Sequence, residues 1–172
     1  CGSLVSVNIP KGVTGIDTFA FYGCDSLASV TIPDTVTSVG NSAFSCCDNL
    51  KSVYTTDLAA WCKIAFKDDA DSNPLSNGAD LYINGKKATN VVIPNGVTRI
   101  GPYAFCGCSS LVTVTVPESV ASISEQAFEK CGSLTSVSIP KSVTSIGYSA
   151  FEDCKNLKDV YYTGTEEAWK HI

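Results

Sequence analysis

The sequence predicts a solenoid, with short parallel strands stacked rung on rung in a mostly β repeat fold. Three observations carry that prediction. A 23-residue unit recurs, as in CDSLASVTIPDTVTSVGNSAFSC (24–46), CSSLVTVTVPESVASISEQAFEK (108–130) and CGSLTSVSIPKSVTSIGYSAFED (131–153). A period of about 20–29 residues with one strand-like run in each marks a solenoid rather than a globule. The valine of that run returns at Val7, Val30, Val53, Val91, Val114, Val137 and Val160, so about seven short strands are expected. Finally, Val30 and Ile32 stand two apart and share one face of a strand, which gives every rung an inward and an outward side.

The elements follow in order along the unit. Leu27, Val30 and Ile32 obey the L-x-x-L-x-L logic of a leucine-rich unit. The proline behind them (Pro10, Pro33, Pro94, Pro117, Pro140) ends the strand, because it has no N–H to give a ladder. Next comes V-T-x-I, as at 97–100, read as a second, shorter extended segment returning across the coil. The A-F pair then recurs at Ala20-Phe21, Ala43-Phe44, Ala104-Phe105, Ala127-Phe128 and Ala150-Phe151. It predicts a short helical turn, with Asn41 or Ser124 as its cap, and a phenylalanine that plugs the coil and stacks between rungs.

Repeats start at Cys1, Cys24, Cys47, Cys108, Cys131 and Cys154, and one long repeat interrupts them. The valine intervals are 23, 23, 38, 23, 23 and 23, which places an insertion at about 54–90. Within it, Thr56-Asp57 followed by Leu58, Trp61 and Ile64 predicts a short amphipathic helix. Residues 68–78 are a polar loop, and Leu81-Tyr82-Ile83-Asn84-Gly85-Lys86-Lys87 predicts a β-hairpin on an Asn-Gly turn. Residues 160–172, VYYTGTEEAWKHI, echo VYTTDLAAWCKI at 53–64, so a larger repeat of about 107 residues runs through the chain.

These motifs resemble the BspA-like leucine-rich repeat family. The match is carried by C-x-S-L-x-x-V-x-I-P at 24–33, 108–117 and 131–140, with V-T-x-I-G-x-x-A-F behind it. The Trp61-to-Ile64 stretch, Asn73-Pro74-Leu75 and Leu81-Tyr82-Ile83-Asn84-Gly85-Lys86 also look like a spacer of such proteins. The resemblance implies a right-handed leucine-rich-repeat solenoid on a secreted or cell-surface protein of bacteria or certain parasitic protists. It further implies, for some members, adhesion to host extracellular proteins or to other microbes.

Composition narrows the classes. The chain has 172 residues and a formal charge of -5, with no basic cluster beyond Lys86-Lys87, so nucleic acid is not expected as a partner. No apolar run approaches about 18 residues, so no membrane insertion is expected. Residues 1–172 are expected to form a single solenoid, a monomeric fragment of a longer protein. Cys1 already stands in repeat register, Ile172 falls inside a repeat, and no polar capping repeat is present.

No catalytic set emerges, so no enzyme is expected. His171 is the only histidine, and no nucleophile or acid is placed around it. No metal or cofactor is expected either. Cys106-x-Cys108 lacks the second pair of ligands that a zinc site needs. Asp69-x-Asp71-x-Asn73 resembles the start of a calcium loop, but Pro74 stands where glycine is required and Asp80 where glutamate is. Six of the 9 cysteines share one repeat position and are expected as a buried file of free thiols. Disulfides between rungs are not expected, because a rung spacing of about 4.8 Å exceeds the Cβ separation a disulfide favours. Cys46, Cys62 and Cys106 fall outside that file.

The candidate binding residues are those flanking the strand valine, on what is expected to be a concave face. They are Ser29 and Thr31, Ser52 and Tyr54, Asn90 and Val92, Thr113 and Thr115, Ser136 and Ser138, and Asp159 and Tyr161. Columns of small hydroxyls broken by tyrosines suit a flat sheet that binds a protein, with tyrosine as anchor. Glycan binding and a spacer or stalk role without a ligand are the alternatives.

Overall fold

The computed structural model describes residues 1–67 and 70–172. The first repeats contain β1 (Ser6–Asn8), β2 (Gly15–Ile16), β3 (Ser29–Thr31), β4 (Ser38–Val39) and β5 (Ser52–Thr55). Helix α1 (Leu58–Trp61), β6 (Ala65–Phe66), a 3-10 turn (Ala70–Ser72), β7 (Asp80–Ile83) and β8 (Lys86–Lys87) make up the insertion. The later repeats contain β9 (Asn90–Val92), β10 (Arg99–Ile100), β11 (Thr113–Thr115), β12 (Ser122–Ile123), β13 (Ser136–Ile139), β14 (Ser145–Ile146), β15 (Asp159–Tyr162) and helix α2 (Glu166–Trp169).

The strands stack as the repeat requires, in a mostly β, parallel solenoid. The leading strands pair in parallel and in register, Val7 on Val30 on Val53, and Val91 on Val114 on Val137 on Val160. They form two sheets, in the orders β1-β3-β5-β7-β8 and β9-β11-β13-β15. The V-T-x-I segments form the expected return strands, in the orders β2-β4-β6 and β10-β12-β14. Between them lies a single core holding Leu27, Val30, Ile32, Leu50, Leu111, Val114, Leu134 and Val137.

The phenylalanines stack through this core. Phe105, Phe128 and Phe151 lie with ring centroids 5.1 and 5.2 Å apart and planes within 1° and 2° of parallel. Phe21 and Phe44 repeat the arrangement at 5.1 Å. The A-F segment itself is a run of i-to-i+3 turns and not a helix. The reason is that its N–H groups bond across rungs, Phe105 to the Ala127 carbonyl and Phe128 to the Ala150 carbonyl, both at 2.8 Å. The residue before the pair is left-handed, as at Tyr103 (φ 57°) and Gln126 (φ 52°). Neither Asn41 nor Ser124 therefore has a helix to cap, and the Ser124 hydroxyl accepts a bond from Arg99 Nε at 2.7 Å.

The polar letters of the repeat also stitch rungs together. Ser26, Asn49 and Asn156 donate to the carbonyls of Gly2, Asp25 and Gly132, each at 2.6 Å and 24 residues back. Thr35, Ser119 and Ser142 donate to Val13, Val97 and Val120 at 2.8 Å, each 22 residues back. The thiols of Cys47, Cys131 and Cys154 point at the carbonyls of Phe21, Phe105 and Phe128, at 3.1, 3.1 and 3.0 Å.

One expectation about the cysteines is corrected. Cys1 and Cys24 form a disulfide, with Cα atoms 4.9 Å apart. That separation lies inside the range of about 4.4–6.8 Å that a disulfide tolerates. Parallel Cβ vectors on adjacent rungs would hold the sulfurs apart, but Cys1 is exposed and free to turn toward its neighbour. Cys24, Cys47, Cys108 and Cys131 are buried, and Cys154 is half-buried.

The insertion lies in sequence between the two phenylalanine stacks, Phe21–Phe44 and Phe105–Phe128–Phe151. Helix α1 starts where expected, with Asp57 accepting from the Ala60 N–H at 3.0 Å as N-cap. Its Trp61 is buried, tilts against Phe66 at 5.7 Å, and donates its indole N–H to the Ala104 carbonyl at 2.8 Å. Asn73 is buried, accepts from the Leu75 N–H at 2.9 Å, and donates to the carbonyls of Tyr103 and Ala104. The hairpin forms with Asn84 and Gly85 both at positive φ, 50° and 76°, as a type I′ turn demands. Its first strand, however, is itself a rung: Leu81 pairs in parallel with Val53. Gly107 (φ +74°) marks how tightly the insertion is packed. A Cβ there would meet the backbone oxygens of Leu75 and Ser76 at 2.6 and 2.7 Å.

Candidate binding surface

The strand alternation aims the flanking residues away from the core. On each rung the central valine is buried or half-buried, except at the last, where Val160 is 45% exposed. The residues around it reach solvent. Ser29, Thr31, Ser52, Tyr54, Thr113, Ser136 and Ser138 are half-buried, whereas Asn90, Val92, Thr115, Asp159 and Tyr161 are exposed. The register assembles them into rows. Ser29, Ser52 and Asp80 form one row, continued in the second sheet by Asn90, Thr113, Ser136 and Asp159. Thr31, Tyr54 and Tyr82 form the other, continued by Val92, Thr115, Ser138 and Tyr161.

The predicted residues thus share a face, but divided between two sheets rather than on one. Asn90 and Thr113 are joined directly, with the Thr113 hydroxyl donating to Asn90 Oδ1 at 2.9 Å. Val92 is 67% exposed and Tyr161 61% exposed, both large apolar surfaces open to solvent.

Tyr82 is the residue that the spacing of valines does not reveal. It stacks on Tyr54 with centroids 4.9 Å apart and planes at 29°. The signal was present as Leu81-Tyr82-Ile83, which has the alternation of Val53-Tyr54-Thr55 but starts its rung with leucine. Beside this pair, Lys87 Nζ bonds Asp80 at 2.7 Å, and the Ser109 hydroxyl donates to the same carboxylate at 2.9 Å. The bond to Asp80 raises the Lys87 pKa above its ordinary value, which favours the charged ammonium. The tyrosine pair is therefore bounded on one side by hydroxyls and on the other by a fixed ion pair.

The remaining polar candidates do other work. Asp69 of the calcium-like stretch lies outside the described residues, as does the pair Asp68-Asp69. Asp71 accepts from the Ser45 hydroxyl at 3.2 Å, and Asn73 is committed to backbone. Among the described residues no group of three or more His, Cys, Asp or Glu side chains could hold a metal ion. No helix among them is long and apolar enough to cross a membrane.

Of the three cysteines outside the repeat position, Cys46 alone is exposed. Burial pushes the Cys62 and Cys106 thiols up to about 12, with Glu129 adding to the effect at Cys106. Thiolate is the reactive form, so both are inert in the folded chain at neutral pH. Labelling the native protein with iodoacetamide is expected to modify Cys46 first and to leave Cys62 and Cys106 unmodified until denaturant is added. Modification of Cys62 at the rate of Cys46, read by peptide mass spectrometry, would contradict the packing around α1.

The family profile described as BspA type Leucine rich repeat region matches residues 1–70 and 78–168, in 6 copies. No curated protein matches the chain. Among solved structures it is similar to a leucine-rich repeat protein of T. pallidum, at 26% identity and a TM-score of 0.48, covering 90% of this chain and 78% of that one. It is similar to a leucine-rich repeat protein of Eubacterium ventriosum at 19% identity and a TM-score of 0.49, covering 91% of this chain and 59% of that one. It is also similar to a leucine rich cell surface protein of Faecalibacterium prausnitzii at 26% identity and a TM-score of 0.40, covering 100% of this chain and 63% of that one. The chain spans less than two thirds of the length of these last two.

Proposed function

The chain belongs to the BspA-type leucine-rich repeat family, and from that premise we propose that it is a non-catalytic binding module of a secreted or cell-surface protein. Its outward strand face takes a protein ligand, a host extracellular protein being the partner class tested first. The observation that carries this reading is the stacked pair Tyr54–Tyr82, with Tyr161 repeating Tyr54 one 107-residue unit later. Much of the repeat's other polarity is spent on stitching rungs, as with Ser26, Thr35 and Asn49. The tyrosines are large aromatic surfaces added to a face that a bare scaffold would keep small and hydroxylated. The Cys1–Cys24 disulfide supports an oxidising, extracellular setting.

The deciding experiment titrates the chain against immobilised host matrix proteins and, in parallel, against a glycan array. The Tyr54→Ala/Tyr161→Ala double variant is the control. Loss of an aromatic anchor typically costs about 2 kcal/mol or more, so binding to a protein is expected to weaken more than about tenfold. Affinity unchanged by the double substitution would remove the outward face from consideration. Binding confined to the array would favour a glycan ligand, and no binding at all would favour a spacer role.

A further inference from the structure

We propose that Cys131 and Cys154 form a second disulfide between rungs when the chain meets a small-molecule disulfide oxidant such as oxidised glutathione. Strands β13 and β15 are in register, Val137 on Val160, and each of these valines follows its cysteine by six residues. The same relation holds for Val7 on Val30 behind Cys1 and Cys24, the pair that is bridged. Adjacent rungs at this position therefore lie within disulfide range once one partner can turn. In the bridged pair the exposed Cys1 supplies that freedom, and in the second pair the half-buried Cys154 does. Cys108 and Cys131 are both fully buried, and the Cys108 sulfur lies 3.4 Å from the Ser110 hydroxyl. A bridge between those two has neither a mobile partner nor a path for the oxidant.

The thiols of Cys131 and Cys154 occupy the same position on adjacent rungs and donate to the carbonyls of Phe105 and Phe128, at 3.1 and 3.0 Å. The neighbouring Cys131 thiol holds the Cys154 pKa below its ordinary value, against the opposing effect of burial. Cys154 is thus the thiol that ionises more readily and the one a solute can reach. Its thiolate attacks a sulfur of glutathione disulfide, forming a mixed disulfide and releasing one glutathione thiolate. The Cys131 sulfur, now losing its proton, attacks Cys154 Sγ, and the second glutathione leaves. Two protein thiols are oxidised and one glutathione disulfide is reduced to two thiols. The product ties the repeat that starts at Cys154 to the one that starts at Cys131, as the existing disulfide ties the repeats of Cys24 and Cys1.

The test oxidises the whole chain with excess oxidised glutathione, alkylates remaining thiols under denaturant, and maps peptides by mass spectrometry. The expected result is loss of both Cys131 and Cys154 from the alkylated pool, with a cross-linked peptide joining them. In Cys154→Ser the cross-link is expected to vanish and Cys131 to be recovered alkylated, while Cys1–Cys24 persists. Recovery of Cys131 and Cys154 as free thiols in the unsubstituted chain, with Cys1–Cys24 linked, would overturn the proposal. So would a cross-link from Cys131 to Cys108.

Discussion

Phe128→Ala is expected to lower the unfolding free energy by about 3–5 kcal/mol, the range for deleting a fully buried aromatic ring. Phe128 is the middle ring of a stack of three, with Phe105 and Phe151 at 5.1 and 5.2 Å on its two sides. Its removal opens a void that neither neighbour can fill, because each is held by its own rung. Phe151→Ala is the internal comparison: that ring is half-buried and closes the stack on one side only. It is expected to cost clearly less. Urea denaturation followed by tyrosine and tryptophan fluorescence would measure both. Equal losses would mean that the stack is not the unit of stability.

The second large effect concerns one buried carbonyl. Ala104 O accepts from Trp61 Nε1 at 2.8 Å and from Asn73 Nδ2 at 3.3 Å, so the insertion holds the later repeats through two side chains. Asn73→Ala also strips the acceptor from the Leu75 N–H. A buried polar group left without its partner costs about 1–3 kcal/mol, and Asn73→Ala is expected to cost at least that much. Trp61→Phe removes only one donor to Ala104 O and part of the indole volume. The double variant is expected to lose about 0.5–3 kcal/mol more than the two single losses together, because only then does the carbonyl lose both donors. A double-mutant cycle on unfolding free energies reads this directly. Simple additivity would show that the two side chains act independently.

Much of the architecture was legible in the residues. Apolar letters two apart specified the strands, the proline ended them, and the A-F pair foretold the ring stack, because each depends on local geometry that the repeat restates. Asp57 ahead of Leu58 and Asn84-Gly85 between alternating runs likewise state a helix start and a hairpin turn in local terms. What escaped was non-local. Leu81 serves as a rung although it follows Val53 by 28 residues and is not a valine, so a ruler built on valine passes over it. Tyr82, half of the aromatic pair, was missed with it. The Cys1–Cys24 bond escaped because a mean rung spacing does not describe a pair in which one cysteine is exposed. On the candidate face, the alternation identified which residues point outward. Only the register showed which tyrosines touch and where the face is divided.

That division has a mechanical meaning. Strand pairing is continuous from β1 to β8 and from β9 to β15, and the return strands break at the same place, between β6 and β10. A pull along the axis is therefore carried within each half by in-register backbone bonds loaded together. Across the junction it passes through a sparser set: the Trp61 indole, the Asn73 amide, the Gly101 N–H on the Cys62 carbonyl, the Leu81 N–H on the Ser110 hydroxyl, the bonds of Ser109 to Asp80 and to the Ala79 carbonyl, and the core contacts around them. Fewer bonds, loaded more nearly one at a time, give way at lower force. The junction is the compliant section of an otherwise stiff rod, and it sits beside the tyrosine pair on which the proposed ligand would pull.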